Sequence, residues 1–203
     1  MTTSKIHLCT VVEYHQMIDC GILTPESHVE LLEGCIVEMN PQRAPHAATT
    51  QRTSDYLKSQ LTQEAHIRMQ LPVTLSNSEP EPDIAVVHID AKAYGDRGAW
   101  HQPYRHPSAE EIFFLIEIYD TTLRIDRQEK ALIYARANIP EYWVLDVVQR
   151  QAYIYRYPTS GGYQSETVLL DSEVIHPLNF PSVSLSFIEM FLPYSGFHLG
   201  RPQ

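Results

Sequence analysis

Three features are scarce in this sequence: cysteine, positive charge and long runs of apolar residues. The 203 residues include only three cysteines, an odd number with no Cys-x-x-Cys pair, which indicates neither a disulfide framework nor a zinc site. No apolar run approaches the roughly 18 residues that cross a membrane, and the N-terminus lacks a signal-peptide pattern. We therefore expect a soluble, cytoplasmic protein with no membrane partner.

Positive charge is also low relative to negative charge. Lysine and arginine number 15 against 25 aspartates and glutamates, which gives a formal net charge of −10 at pH 7. This balance argues against a general basic coat for nucleic acid, although a local basic patch beside an acidic site remains compatible with it. Apolar residues make up 43% of the chain, enough for a sizeable core, and the length favours a single domain, residues 1–203.

The order of periodic segments predicts an α/β protein with a mixed sheet. A helix begins at Thr10, which stands in a capping-box relation to Glu13. A C-terminal β-hairpin is predicted around the sequence Pro-Thr-Ser-Gly-Gly at 158–162. The other predicted elements are a hairpin at 29–39, helices at 45–64, 124–138 and 186–191, and strands at 67–75, 83–87, 111–119 and 141–148.

Glu117 is conspicuous because it lies inside the most apolar predicted strand, 111–119. On a period of two, its side chain shares a face with Phe113 and Leu115, which is a poor composition for a solvent-exposed face. An unpaired buried carboxylate is costly. The sequence therefore predicts that Glu117 has a functional partner, and the alternative is a side chain that points to solvent.

A second carboxylate, Asp83, begins the short apolar strand that follows Glu-Pro-Glu-Pro at 79–82. A solvated strand end would explain it, but two adjacent strands would bring Asp83 and Glu117 to one sheet edge. Like charges held close repel unless a cation lies between them, and Mg²⁺ suits such a pair because it takes one or two carboxylates and keeps waters. Lys130 follows on the next helix, where the alternative is a surface lysine paired with Asp126.

Several segments together resemble the PD-(D/E)XK superfamily of restriction-endonuclease-like nucleases. Within it, the chain is similar to a large bacterial family of restriction endonucleases whose catalytic lysine is displaced to the helix after the strand. The resemblance covers about residues 10 to 192, and "EKALIYARANIPEYW" is its most specific segment. The other segments are "VELLEGCIVEM", "PHAATTQRTSDYL", "EPDIAVV", "LIEIYDTT" and the C-terminal hairpin.

The resemblance implies a fold and a set of site residues. The fold is a restriction-endonuclease-like core, a mixed β-sheet of about four or five strands flanked by helices, with a C-terminal β-hairpin. Asp83 and Glu117 match the metal ligands, for Mg²⁺ with Mn²⁺ as a substitute, and Lys130 matches the displaced lysine. Glu30 matches an early acidic residue of the catalytic site, and His46 matches a histidine that opens the second helix.

The implied function is a metal-dependent endonuclease that hydrolyses DNA phosphodiester bonds, with a homodimer as one arrangement for cutting both strands. The alternative is a catalytically decayed nuclease fold that acts as a nucleic-acid- or protein-binding module. Retention of both acidic residues and the lysine favours the enzyme. Asp120 departs from the family, which commonly has serine there, and Arg124 and Arg127 are candidate contacts to backbone phosphate.

Overall fold

A computed structural model describes residues 6–61, 65–88, 105–120 and 125–191, with 125–127 as backbone only. The stretch at 89–110, whose polar composition without a clear period indicates a loop, lies mostly outside these residues. Over the described ranges, no helix is long and apolar enough to span a membrane.

The helices and strands follow the predicted order. Thr10 caps the first helix through the predicted capping box with Glu13. The helices are α1 (Val11–Asp19), α2 (Ala44–Gln60), α3 (Ala131–Arg136) and α4 (Phe187–Met190), and a π-helical segment (Ile125–Lys130) leads into α3. The strands are β1 (Val29–Leu32), β2 (Cys35–Glu38), β3 (His66–Met69), β4 (Ile84–Val87), β5 (Ile112–Tyr119), β6 (Glu141–Asp146), β7 (Gln151–Thr159), β8 (Gly162–Leu170), β9 (Val174–Ile175) and β10 (Leu185–Ser186).

A six-stranded mixed sheet in the order β3-β4-β5-β6-β7-β8 forms the centre of the fold. Strands β5 and β6 run parallel, joined by a crossover that contains α3, and the other neighbours are antiparallel. The β7–β8 hairpin extends the four strands β3–β6. The predicted fold class, a mixed sheet flanked by helices with a C-terminal hairpin, is therefore confirmed.

The two faces of the sheet are buried by different helices. Leu57 of α2 packs in one cluster with strand residues that include Phe114 and Trp143, whose rings stack at a centroid distance of 4.5 Å. Tyr134 of α3 packs in the opposite cluster with Leu115 of β5. Because both faces are covered, β5 and β6 are almost continuously apolar, and a carboxylate within them needs a partner.

A β-bulge makes one prediction wrong. The β4–β5 register shifts between Val86, which pairs with Phe114, and Val87, which pairs with Ile112. Because the extra residue interrupts the alternation of side chains, Phe113 packs against the cluster on the α2 face, whereas Leu115 belongs to the cluster on the α3 face. Glu117 therefore does not share a face of the sheet with Phe113, contrary to the prediction.

Three predicted elements are shorter in the structure. The helix predicted at 45–64 spans Ala44–Gln60. The strand predicted at 67–75 ends at Met69, because Gln70 has a φ of 50°. The helix predicted at 124–138 ends at Arg136, and Asn138 has a φ of 62°. Left-handed residues of this kind terminate regular elements, but their positions are difficult to predict when the residue is not glycine.

Candidate active site

All five residues predicted for the site line one cavity of about 500 Å³. It lies where β1, the start of β4, the end of β5, the first turn of α2 and the start of α3 meet. These residues are Glu30, His46, Asp83, Glu117 and Lys130. Segments separated by up to 100 residues of sequence therefore converge on a single cavity.

Asp83 and Glu117 occupy neighbouring positions on adjacent antiparallel strands. Ile84 pairs with Ile116 and Ala85 pairs with Leu115, so extending this register by one residue places Asp83 opposite Glu117. Residues opposite each other in this way have Cβ atoms about 4.5–5.5 Å apart. The two carboxylates are only 6% and 4% exposed, so the alternative of a solvent-facing Glu117 is wrong.

Asp83 is held by two donors on a single oxygen. The backbone N–H of Ile118 donates to Asp83 Oδ2 over 2.7 Å, and the Nε2 of His46 lies 3.0 Å from the same oxygen. His46 is in the first turn of α2, and its side chain is only 12% exposed. Among the described residues, no donor bonds to Asp83 Oδ1, so the second oxygen is available to a ligand in the cavity.

Glu117 also receives two donors on one oxygen. The Nζ of Lys130 donates to Oε1 over 3.0 Å, and the hydroxyl of Tyr134 donates to the same atom over 2.8 Å. Lys130 and Tyr134 are four residues apart on a continuous helical segment, so they lie on one face. These two donors supply the partner that a buried carboxylate within an apolar strand requires.

Glu30 joins the site through the same lysine. Its Oε1 lies 3.3 Å from Lys130 Nζ, and its Oε2 accepts the backbone N–H of Glu81 over 3.1 Å. Lys130 is 8% exposed, so the alternative of a surface lysine is wrong, and the Asp126 side chain of the alternative pairing lies outside the described residues. The Lys130 ammonium therefore places a positive charge of the protein between Glu30 and Glu117.

The cavity is strongly acidic. Burial, followed by the charge of Glu30, raises the pKa of the Glu81 carboxyl. Glu33, one of the lining residues, forms an ion pair with Arg136. Lys130 contributes a positive charge to the lining of the cavity. The lining carboxylates number eight: Glu30, Glu33, Glu38, Glu81, Asp83, Glu117, Asp120 and Glu129. Such a lining attracts cations and repels a phosphate group unless further positive charge is added.

The oxygen donors fit a hard divalent cation. Within the described ranges, no three histidine, cysteine or carboxylate side chains are grouped so that they could hold a metal ion. Mg²⁺ does not require such a set, because it binds through one or two carboxylates and retains waters. Asp83 and Glu117 supply such a pair of carboxylates. Among the described residues, no hydrogen-bond donor contacts Asp83 Oδ1.

Sequence reasoning missed three contributors to the site. The Ile118 N–H carries no signal in a sequence, and Glu81 was part of the Glu-Pro-Glu-Pro segment without an assigned role. Tyr134 had a signal, because it lies one helical turn after Lys130. Of the candidate phosphate contacts, Arg124 and the side chain of Arg127 lie outside the described residues.

Comparisons with known proteins agree with this fold. The family model Uma2, described as "Putative restriction endonuclease", matches residues 11–187. A crystal structure of a "putative nuclease belonging to DUF820" from Anabaena variabilis superposes with a TM-score of 0.69 and 18% identity, covering 90% of this chain and 97% of that chain. No curated protein matches. Since the family match spans most of its length, the chain belongs to the Uma2 family, within the restriction-endonuclease-like superfamily.

Proposed function

We propose that this protein is a metal-dependent endonuclease that hydrolyses DNA phosphodiester bonds. The observation that carries the proposal is the convergence of Asp83, Glu117 and Lys130 in one cavity of a chain that belongs to a nuclease family. The reaction adds water across a P–O bond, which gives a phosphomonoester and a free hydroxyl group. It therefore needs a nucleophile, charge compensation at phosphorus and a proton for the leaving oxygen.

Asp83 and Glu117 are the proposed ligands for Mg²⁺, with Mn²⁺ as a substitute. When bound, the cation would supply positive charge to a phosphate oxygen and lower the pKa of a water molecule. The Ile118 N–H and His46 orient the Asp83 carboxylate through Oδ2, so Oδ1 is the oxygen that would hold the cation. A carboxylate oriented in advance loses less conformational entropy when it binds a ligand.

Lys130 is the proposed electrostatic catalyst. Its ammonium is held between Glu30 and Glu117, where little water reaches it. In this environment a positive charge stabilises developing negative charge more strongly than it would in bulk water. Lys130 would compensate the charge that builds on the phosphate or orient the attacking water.

The proposed roles of Glu30 and His46 follow from their contacts. Glu30 lies 3.3 Å from the Lys130 ammonium, and its negative charge helps to keep that ammonium in the cavity. His46 donates to Asp83, so we assign it to orientation of the carboxylate in preference to direct contact with phosphate. A homodimer would supply two such sites for the two strands of a duplex.

Plasmid cleavage tests the proposal directly. Purified protein is incubated with supercoiled plasmid and Mg²⁺ or Mn²⁺, and parallel samples contain EDTA. We expect nicked and linear products with metal, none with EDTA, and none with Asp83→Asn. The control is Lys58→Met on α2, a lysine whose side chain is 50% exposed. Absence of cleavage by the parent protein, combined with DNA binding, would favour the decayed binding module.

A further inference from the structure

Tyr134 contacts the proposed site but has no part in the mechanism above. It is completely buried, and its hydroxyl donates to Glu117 Oε1 at 2.8 Å. The Lys130 ammonium donates to the same oxygen at 3.0 Å. One carboxylate oxygen therefore has two side-chain donors from a single helical segment.

The phenol is fixed in position. Its ring packs edge-on against Tyr142, with the centroids 4.9 Å apart. A tyrosine hydroxyl has an ordinary pKa of about 10, so near neutral pH it is an uncharged hydrogen-bond donor to the Glu117 carboxylate.

The two donors differ in how a substrate affects them. Lys130 is charged and has a flexible stem, so an incoming phosphate competes with Glu117 for its ammonium. The Tyr134 hydroxyl is neutral and its ring is packed, so a phosphate does not draw it away. When Lys130 turns toward the substrate, Oε1 of Glu117 still has one donor.

We propose that Tyr134 is a positioning residue that holds the Glu117 carboxylate in its metal-binding orientation and allows Lys130 to leave Oε1 for the substrate. This inference rests on the proposed function, because it assigns Tyr134 a role at the same metal site. The competing explanation is structural: a buried phenol needs a hydrogen-bond partner, and Glu117 happens to be the nearest one.

The test compares two tyrosine-to-phenylalanine variants. Tyr134→Phe removes the donor to Glu117 and retains the packed ring. Tyr163→Phe is the matched control, because its partly buried hydroxyl donates to a backbone carbonyl, Ile139 O, at 3.0 Å in the same apolar cluster. Mn²⁺ affinity is measured by titration calorimetry, and thermal unfolding is measured without metal.

We expect both variants to lower the melting temperature, since each loses one hydrogen bond. Only Tyr134→Phe should weaken Mn²⁺ binding, by about 10- to 100-fold, which is typical for the loss of a group that orients a metal ligand. Its plasmid cleavage should require more Mn²⁺ and return most of the way to the parental rate at saturating Mn²⁺. A purely structural loss would not be rescued by metal in this way.

Two results would overturn the inference, and they are distinguishable. If the parent and Tyr134→Phe bind Mn²⁺ with equal affinity, the positioning role is wrong and the proposed metal site stands. If the parent itself does not bind Mn²⁺, the proposed function fails, and the role of Tyr134 at a metal site fails with it.

Discussion

Replacement of Lys130 by methionine tests whether Lys130 is a buried, ion-paired lysine or an ordinary surface lysine. Methionine retains most of the aliphatic stem and removes the ammonium group. In the structure, that ammonium lies 3.0 Å from Glu117 and 3.3 Å from Glu30. The variant therefore leaves two buried carboxylates without their shared cation.

The expected loss of stability is large. Removing one partner of a buried ion pair costs about 3–5 kcal/mol, and we take the lower value of roughly 3 kcal/mol because this site opens into a cavity. For a protein of this size, each kcal/mol shifts the melting temperature by about 2–4 °C, so the predicted decrease is roughly 6–12 °C. A surface lysine would change stability by no more than about 0.5 kcal/mol.

The assay is thermal unfolding at pH 7.5 without divalent metal, followed by circular dichroism. Lys58→Met is the control, since Lys58 is half exposed and its salt-bridge partner Asp55 is 3.8 Å away. The double variant Lys130→Met/Glu117→Gln should recover part of the loss, because it removes one of the two uncompensated charges. If Lys130→Met melts within 2 °C of the control, Lys130 does not occupy this position in solution. Plasmid cleavage by Lys130→Met should fall by about 10²–10³-fold.

Other expectations follow from the charges around the site and the sheet. Asp83→Asn should weaken Mn²⁺ binding measured by calorimetry, and unchanged affinity would place the metal elsewhere. Binding of a labelled duplex should be weak in EDTA and strengthen with Ca²⁺, because the cavity lining is acidic; equal binding in both would contradict this. The Arg105 guanidinium lowers the pKa of Glu111 to about 2. The Glu111 carboxylate therefore stabilises the fold fully when the pH is above its ordinary pKa of 4.5, and this stabilisation is lost as the pH falls towards 2. In urea unfolding, the loss of unfolding free energy caused by Glu111→Gln should be smaller at pH 3 than at pH 7. Arg156→Met should destabilise the protein by about 3 kcal/mol, because it leaves the buried Glu141 without its cation. The variant should bind Mn²⁺ with parental affinity, and a parental urea midpoint would argue against the Arg156–Glu141 ion pair.

Local features of the sequence were sufficient to predict most of the secondary structure. The Thr10–Glu13 capping box and the glycine-containing hairpin between β7 and β8 depend on interactions between residues that are close in the chain. The apolar run of β5 likewise depends on composition. Such elements follow from the sequence because near neighbours supply most of the information.

The sequence alone indicated that Glu117, within an apolar strand, needs a partner, since an unpaired buried carboxylate is costly. The identity of its partners, and the fact that two of them contact one oxygen, come from the tertiary structure. Lys130 lies between Glu117 and Glu30, and Tyr134 donates to the oxygen that Lys130 also contacts. His46 reaches Asp83 across 37 residues. These contacts depend on strand register and on how α2 and α3 dock on opposite faces of the sheet, and packing over long sequence distances sets both.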